Sequence, residues 1–336
     1  MRYVGLDVHL RQSTFCVLDA NGKKLRTRTI IGAWDKVLLA LAEVKGAFAV
    51  CFEASAGYGY LHERLSRLAV KVIVAHPGRL RLIFRSKRKN GRVDAEKPAK
   101  LLYLDEVPPE YVPRLEVRSR RPMMEHRQKL IQERTRAKNQ VRALLRGQAL
   151  PARRGLWSKA GMAWRMSREF ASGCDALQRD LMCERIGSLN GMLQRVEAEL
   201  AKVARRHPGI ALLRTIPGVG RRTAEAVPAY VDDPQRFASV KAAASYFGLV
   251  PCQDQSAQKQ RLGHITRQGP ATVRKLLTEA ARVAIRRSKT VRAYFERMHR
   301  GDADRRKIAV AATAHYLRRL MHAMLRTGEL WRGAAA

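Results

Sequence analysis

Apolar residues in the first third of the chain fall into short runs separated by polar turns. Five of these runs predict strands: 3–8, 13–19, 24–31, 47–55 and 71–77. Asn21-Gly22 favours a type I′ turn between the second and third strands. Helical spacing predicts helices at about 34–45, 58–70 and 93–104, the last disturbed by Pro98. This order of elements predicts an α/β layered domain that begins with an antiparallel meander, as in ribonuclease-H-like folds.

Two long helices are predicted in the middle of the chain, after a proline-rich connector at 105–114. They cover about 118–147 and 174–206. The second carries apolar residues near heptad spacing: Leu177, Leu181, Ile186, Leu189, Leu193, Val196 and Leu200. The pair predicts an antiparallel or intermolecular coiled coil, or alternatively one helical hairpin packed on its own domain.

The last third of the chain is predicted to be mainly helical. "ALLRTIPGVGRRTAEAV" predicts a short helix, a glycine turn and a second helix, similar to a helix-hairpin-helix. In such a motif the backbone near Gly218, Gly220 and Arg221 would contact a phosphate, although tight helical turns that bind nothing use the same residues. Residues 252–269 predict a polar loop, and three basic helices follow at about 270–287, 289–300 and 303–326. We therefore predict domains at 1–105, 106–207 and 208–330.

Composition and charge narrow the possible functions. The chain has 336 residues, 46% of them hydrophobic, which is enough for two domains with real cores. Since no apolar run is long enough for a membrane span and no signal peptide is evident, we expect a cytoplasmic protein. Five scattered cysteines suit free thiols better than disulfides or a zinc site. The net charge of +37, from 66 Lys and Arg against 29 Asp and Glu, predicts nucleic-acid binding.

Basic residues in turn-like segments are the first candidates for phosphate contacts. The segment "RSKRKNGR" at 85–92 predicts a phosphate-facing loop that contains Lys87, Arg88, Lys89 and Arg92. Arg267 precedes the predicted helix at 270–287 and is a further candidate.

Three carboxylates are the candidates for chemistry. Asp7 lies in the first strand, Glu53 ends the fourth, and Asp94 opens a later helix. In a ribonuclease-H-like sheet the first and fourth strands are neighbours, so we expect these acids to converge. Such a cluster repels itself unless cations neutralise it, and carboxylate oxygens favour Mg²⁺ or Mn²⁺. The alternative is that each acid pairs with a local arginine.

Several stretches resemble the DEDD-type insertion-sequence transposases, the bridge-RNA-guided recombinase family related to the pilin-inversion (Piv) recombinases. In the N-terminal part these are "YVGLDVH", "FEASAGYGYL" and "KNGRVDAEKPAKLLYLDEVP". Downstream they are "RTIPGVGRRTAEAV", "ASYFGLVPCQDQSAQKQRLGHITRQGPATVRKLL" and "AIRRSKTVRAYFERM". The resemblance implies a RuvC-like N-terminal domain, a coiled-coil middle and a C-terminal transposase domain that carries a serine nucleophile.

The resemblance assigns the nucleophile to Ser256, the only serine in the loop after "GLVP". Two departures from the family pattern stand out. Gly91 replaces the first of two acids in the third motif, and Ala257 and Gln258 replace glycines of the serine loop. Pro98 also stands where the helix would prefer leucine.

The expected function is therefore DNA recombination and transposition through a phosphoserine link, with Mg²⁺ held by Asp7, Glu53 and Asp94. Lys259, Arg261 and Arg267 would clamp phosphates. The resemblance further implies double-stranded donor and target DNA, a structured guide RNA, dimers and tetramers, and a bacterial or archaeal, nucleoid-associated location. Two rivals stay open: a RuvC-like nuclease that uses water, and a nucleic-acid-binding remnant without activity.

Overall fold

The computed structural model describes residues 1–83, 91–150, 153–256 and 259–333; the side chains of residues 92, 254–256 and 259–262 are not part of that description. The chain forms two compact units, Met1–Arg118 and Ser119–Ala336. The predicted helical middle and the predicted C-terminal domain both fall in the second unit, and their separation into two domains stays a prediction.

The first unit is built on a five-stranded mixed sheet. Its strands are β1 (Arg2–Val8), β2 (Gln12–Leu18), β3 (Lys24–Ile31), β4 (Phe48–Glu53) and β5 (Lys71–Ala75). They lie in the order β3-β2-β1-β4-β5. The first three form an antiparallel meander, and β4 and β5 extend it in parallel from β1. The predicted strands and the predicted neighbourhood of the first and fourth are confirmed.

Helices cover both faces of this sheet. They are α1 (Trp34–Ala42), α2 (Tyr58–Leu65), α3 (Pro77–Ile83) and α4 (Gly91–Tyr103). On one face, Leu6, Phe15 and Phe52 form a core with apolar residues of α1 and α2. On the other face, Ala95 and Ala99 of α4 pack with Cys16 and Leu18 of β2. The predicted boundaries were close, but the short α3 was not predicted.

Residues 91 and 92 were predicted to belong to the basic loop, and this was wrong, because they form the start of α4. The other predicted contacts of that loop, Lys87, Arg88 and Lys89, lie outside the described residues, as does the side chain of Arg92. Pro98 was predicted to disturb the helix, yet α4 continues through it with the proline ring buried. The helix tolerates this proline because a missing N–H removes only one intrahelical bond, and the ring is packed in the core.

Helix α4 packs unusually close to β1, and Gly5 makes this possible. A Cβ atom added at Gly5 would overlap the carbonyl oxygen of Ala95 and the amide nitrogen of Ala99. Because both are backbone atoms, no side-chain rotation could relieve the overlap. The glycine therefore fixes how closely α4 approaches the sheet.

The second unit contains a long helical hairpin. It consists of α5 (Leu115–Gly147, which begins in the first unit), α6 (Lys159–Met166) and α7 (Gly173–Arg206). Leu130 of α5 packs on Leu189 and Leu193 of α7. Leu177 and Leu181, which were predicted in the apolar seam, are 59% and 56% exposed. The predicted helical hairpin within one chain therefore explains the buried part of the apolar seam. Pairing with a second chain stays a prediction.

The remainder of the second unit is a helical core with one β-hairpin. Its elements are α8 (Pro208–Leu213), α9 (Arg221–Val231), a 3₁₀ turn (Pro234–Arg236), α10 (Val240–Tyr246), β6 (Pro251–Ser256), β7 (Lys259–Ile265), α11 (Ala271–Arg287), α12 (Lys289–His299) and α13 (Arg306–Thr327). The three predicted C-terminal helices are confirmed. The core contains Leu213, Phe247, Leu277 and Leu317.

The prediction of a polar loop at 252–269 was wrong, because β6 and β7 pair as an antiparallel hairpin. Residues 251–253 and 263–264 are exposed. The two strands therefore lack the alternation of apolar and polar residues by which a strand is predicted from a sequence. In the part of the chain that the structure describes, no helix is both long and apolar enough to cross a membrane.

The close packing at Gly5 makes a first prediction. Gly5→Ala should destabilise the protein by about 1–3 kcal/mol or more, because α4 must move off the sheet. Chemical denaturation measures the loss. Gly187→Ala is the control, since its added methyl group meets open space on a helix, where alanine is favoured. A Gly5→Ala protein as stable as the parent would show that the approach of α4 is not constrained.

Candidate active site

The ends of β1 and β4 place two of the predicted acids at one edge of the sheet. The parallel register pairs Leu6 with Phe52, so Asp7 and Glu53 follow at matching positions on neighbouring strands. On its other side, Asp7 lies opposite Thr14 of β2. Because side chains alternate along a strand, Asp7 projects to the same face as Gly5, which is the face covered by α4.

The first turns of α4 bring the third acid to this edge. Asp94 lies near enough for its charge to raise the pKa of Asp7. One turn earlier, a Cβ atom added at Gly91 would lie 3.3 Å from Thr14 Oγ1 and 3.4 Å from Asp7 Oδ2. Position 91, where the resemblance expects an acid, therefore faces Asp7 directly.

The carboxyl group of Asp7 is in an unfavourable place for a negative charge. Its side chain is 24% exposed, and burial raises its pKa above the ordinary value, with Asp94 adding to the rise. The nearby His9, whose Nε2 lies 3.3 Å from Asp7 Oδ1, acts in the opposite direction. Burial is the largest cause, so Asp7 holds its proton more readily than a free carboxyl group does.

Local cations reach two of the acids. Lys97 Nζ lies 3.1 Å from Asp94 Oδ1, one helical turn away, and His9 approaches Asp7. The alternative predicted from the sequence was that each acid pairs with a local arginine. The partners here are instead a lysine and a histidine, and the histidine is charged only when protonated.

A hard divalent cation fits part of this arrangement. Two carboxylates lie close together, one of them half-buried with a raised pKa, and such oxygen donors suit Mg²⁺ or Mn²⁺. Among the described residues, however, no three His, Cys, Asp or Glu side chains are grouped so as to hold a metal ion. The three-carboxylate site with Glu53 therefore stays a prediction.

The predicted nucleophile lies at the end of a strand rather than in an irregular loop. Ser256 is the last residue of β6 and pairs with Lys259, the first residue of β7; Asp254 pairs with Arg261. The side chains of these residues, and residues 257–258 entirely, lie outside the description. Their catalytic and phosphate-binding roles stay predictions.

Arg267 occupies a tightly built crossing between two chain segments. It has a left-handed backbone with φ of 55°, its N–H donates to Gly248 O at 3.2 Å, and it is exposed. A Cβ at Gly248 would overlap the carbonyl oxygen of Gln268. Close packing thus fixes the backbone at this crossing, and the exposed Arg267 side chain extends from that fixed backbone.

The glycine turn before α9 has a structural explanation of its own. Gly218 has φ of 93°, and a Cβ there would lie 2.5 Å from the amide nitrogen of Ala284 in α11. Arg221 donates to Glu225 Oε1 at 2.6 Å. Gly220, by contrast, caps α9 and meets open space. The predicted phosphate contact at this turn is not tested by these features and stays a prediction.

Sequence reasoning missed two features of the second unit. Arg127 and Glu225 form an ion pair at 3.2 Å with side chains only 4% and 3% exposed, which ties α5 to α9. Trp157 and Trp164 lie among arginines and a lysine at the end of the helical hairpin. The interleaving of Arg and Trp between residues 153 and 168 was the available signal for the second feature.

Comparisons with known proteins match both units. A transposase family model of the DEDD, IS110 type matches residues 4–149, and the model described as "Transposase IS116/IS110/IS902 family" matches residues 210–296. The chain is 27% identical to a transposase for insertion sequence element IS1111A of Coxiella burnetii, over 86% of this chain and 79% of that protein. It is 29% identical to a probable family 20 transposase of Pseudomonas aeruginosa, over 56% of this chain and 57% of that protein. It is 26% identical to a transposase for element IS1328 of Yersinia enterocolitica, over 71% of each.

The fold and the site define a protein of two units. The first is a mixed α/β unit with carboxylates at one edge of its sheet, and a helical unit follows it along the chain. The two matched models, in this order along the chain, make the identification specific. The chain belongs to the IS110/IS116 family of transposases and carries that family's DEDD domain.

The raised pKa of Asp7 makes a second prediction. A carboxyl group whose pKa is raised by folding contributes stability at low pH, and this contribution is lost as the pH rises through the folded-state pKa. In metal-free protein at neutral pH, Asp7→Asn should therefore raise the melting temperature. The advantage should shrink as the pH falls through the pKa of Asp7, where the parent residue also becomes neutral. Calorimetry in EDTA across this range measures the difference.

Asp105→Asn is the control for this experiment, because it removes an exposed carboxylate from the same unit without touching the site. We expect it to change the melting temperature little at any of these pH values. An Asp7→Asn protein that melts below the parent at neutral pH would contradict the electrostatic description of Asp7.

Proposed function

We propose that this protein is a DNA recombinase that moves an insertion sequence by cutting and rejoining DNA through a covalent serine link. The observation that carries the proposal is the position of Asp94 beside Asp7 at the end of β1, in a chain of the IS110/IS116 family. Two carboxylates held close together, one of them half-buried, repel each other, which is costly unless a cation neutralises them. Holding a cation that acts on a phosphate is the task that fits both the acids and the family.

The covalent step assigns the attack to Ser256. Its Oγ loses a proton and attacks a DNA phosphorus; the P–O bond to one strand end breaks, and that end leaves as a hydroxyl group after taking up a proton. The phosphoserine ester keeps the energy of the broken phosphodiester. Attack by the hydroxyl end of a new strand on this ester then rejoins DNA and releases the serine.

Asp7, Glu53 and Asp94 are the proposed ligands of Mg²⁺, or of Mn²⁺ in its place. When bound, such an ion polarises a phosphate and neutralises the charge that develops on its oxygens. The protein's own contribution is to hold Asp7 and Asp94 together through the packing of α4 on β1. Gly91 supplies no carboxylate, so we expect this copy to bind the metal more weakly than a chain with the family's acid.

Basic residues near Ser256 are proposed to hold the DNA. Lys259 and Arg261 lie in β7, directly across from the end of β6, and the exposed Arg267 follows that strand. Guanidinium groups bind phosphate oxygens in pairs, which would orient the strand for attack. Donor and target DNA, both double-stranded, are the proposed substrates.

The proposal includes a structured guide RNA and assembly into dimers or tetramers. The net charge of +37 leaves many positive charges beyond the residues proposed to hold DNA, and a second polyanion such as RNA would neutralise them. The exposed Leu177 and Leu181 on α7 supply an apolar surface that a second copy could cover. The strand order of the first unit also suits a RuvC-like, ribonuclease-H-like domain.

Two other functions are compatible with parts of the same site. A RuvC-like nuclease would use the acids and a water molecule, leaving Ser256 idle. A nucleic-acid-binding remnant would keep the basic surface and lose chemistry through Gly91. The covalent adduct separates the first from our proposal, and DNA cleavage separates the second.

The nucleophile makes the third prediction. Ser256→Ala should bind DNA with unchanged affinity and should form neither cut strands nor a protein–DNA adduct, because no hydroxyl group is available for the attack. Adduct formation is measured on end-labelled DNA by denaturing electrophoresis with and without protease. Ser245→Ala is the matched control, since it removes a serine hydroxyl from α10 in the same unit, and it should cut normally. Cutting by Ser256→Ala would make water the nucleophile and favour the nuclease.

A further inference from the structure

A cavity of about 280 Å³ lies where α5 ends and the chain turns towards α6. Its volume lies just below the roughly 300–1,000 Å³ typical of small-ligand sites, which suits one nucleotide base rather than a larger group. The lining combines guanidinium groups with apolar surface: Arg142, Arg146, Arg153, Leu145, Leu150 and Trp157. We refer to these six residues as the hairpin pocket.

Cations surround the indole of Trp157. The guanidinium carbon of Arg165 lies 4.5 Å from the ring centroid, Lys138 Nζ lies 4.8 Å from it, and the guanidinium carbon of Arg142 lies 5.5 Å from it. Arg165 is only 1% exposed, so a positive charge is buried beside Trp157. These contacts fix Trp157 and concentrate positive charge around an apolar surface.

The charge of this region is not balanced by nearby acids in the sequence. Residues 134–168 contain ten Lys or Arg and no Asp or Glu. The pKa of Lys138 is lowered, first by burial and then by the positive charges of Arg134, Arg142 and Arg165. A cluster that repels itself in this way is stabilised by an anion, and guanidinium groups bind phosphate through two parallel hydrogen bonds.

Two arginines of α5 lie one helical turn apart in the lining of the pocket. Arg142 and Arg146 are four residues apart, so they project from the same side of the helix, and both are exposed. Arg142 also donates to Asn139 Oδ1 at 2.9 Å, which steadies its guanidinium. Leu145, Leu150 and Trp157 also line the pocket and offer an apolar wall to a flat ring.

We propose that the hairpin pocket binds a single unpaired nucleotide, with its phosphate on Arg142 and Arg146 and its base against the apolar wall. This inference rests on the proposed nucleic-acid function and adds a site that recognises unpaired strand. A base inside a duplex is stacked on both faces and cannot enter such a cavity, whereas a loop or a flipped base can. Guanidinium groups also stack on bases, so Arg153 at the rim adds to the recognition.

The test compares two variants that lose the same charge. R142Q/R146Q removes the phosphate contacts of the pocket. R205Q/R206Q removes two arginines from the end of α7, away from the pocket, and is the control. Both carry changes at exposed positions, so both should fold, as their melting temperatures would verify. The probes are an RNA hairpin with an unpaired loop, the blunt RNA duplex of the same stem, and the DNA hairpin of the same sequence, all at one salt concentration.

We expect R142Q/R146Q to bind the RNA hairpin about tenfold more weakly than R205Q/R206Q does, as the loss of a stacked nucleotide and its phosphate contact requires. On the blunt duplex the two variants should be equal. Equal losses by both variants on hairpin and duplex alike would overturn the proposal and leave general charge attraction. The DNA hairpin identifies the source of the nucleotide: a matching loss means that the sugar is not read, and a loss confined to RNA means that the 2′-hydroxyl is.

A second measurement locates the contact on the unaltered protein. A 4-thiouridine placed in the RNA loop should cross-link under ultraviolet light to a peptide that contains residues 142–158, and cross-links confined to other peptides would overturn the proposal. The outcome is independent of catalysis. If Ser256→Ala still cuts DNA while hairpin binding depends on Arg142 and Arg146, the recombinase proposal fails and the hairpin pocket remains.

Discussion

The contact between Gly5 and α4 is the constraint on which the candidate site depends. Only a residue without a side chain lets the backbone at Ala95 and Ala99 approach β1 this closely. The approach carries the first turns of α4 to the ends of β1 and β4, where Asp94 and position 91 meet Asp7. The acids belong to three segments far apart in the chain, and one close helix–strand contact brings two of them together. Gly5 has no reactive side chain, yet it determines where the acids of the candidate site lie.

Much of the first unit could be predicted from the sequence because its signals are local. Short apolar runs bounded by turn residues, such as residues 48–52, are typical of buried strands, and a meander joined to parallel strands has few possible topologies. The β6–β7 hairpin could not be predicted, because its exposed polar residues carry no alternation. The exposure of Leu177 and Leu181 could not be predicted either. A heptad pattern indicates which side of a helix is apolar, but it does not indicate where the helix that covers this side ends. Gly5 itself gave no signal, since only the position of α4 explains it.

The candidate site was predictable in part, and the reason is electrostatic. An acid in an apolar strand, as at Asp7, draws attention because burying a charge is costly, and its pKa is indeed raised by burial. The cationic partners of the two acids, His9 for Asp7 and Lys97 for Asp94, were not predictable, since either acid could have reached many of the 66 Lys and Arg residues. The hairpin pocket was missed for the opposite reason: in so basic a chain, ten more cations between residues 134 and 168 do not stand out until they surround a tryptophan.

The central claim is the proposed metal site of Asp7, Glu53 and Asp94, which we expect Gly91 to weaken. Its most direct test is a Mn²⁺ titration followed by electron paramagnetic resonance, in which bound ion no longer contributes to the signal of free Mn²⁺. The account predicts weak binding by the parent protein and its loss in Asp7→Asn. It also predicts that Gly91→Asp binds at least about tenfold more tightly, as an added charged ligand should, while Gly91→Asn gains much less. Identical titrations for the parent, Asp7→Asn and Gly91→Asp would contradict the account.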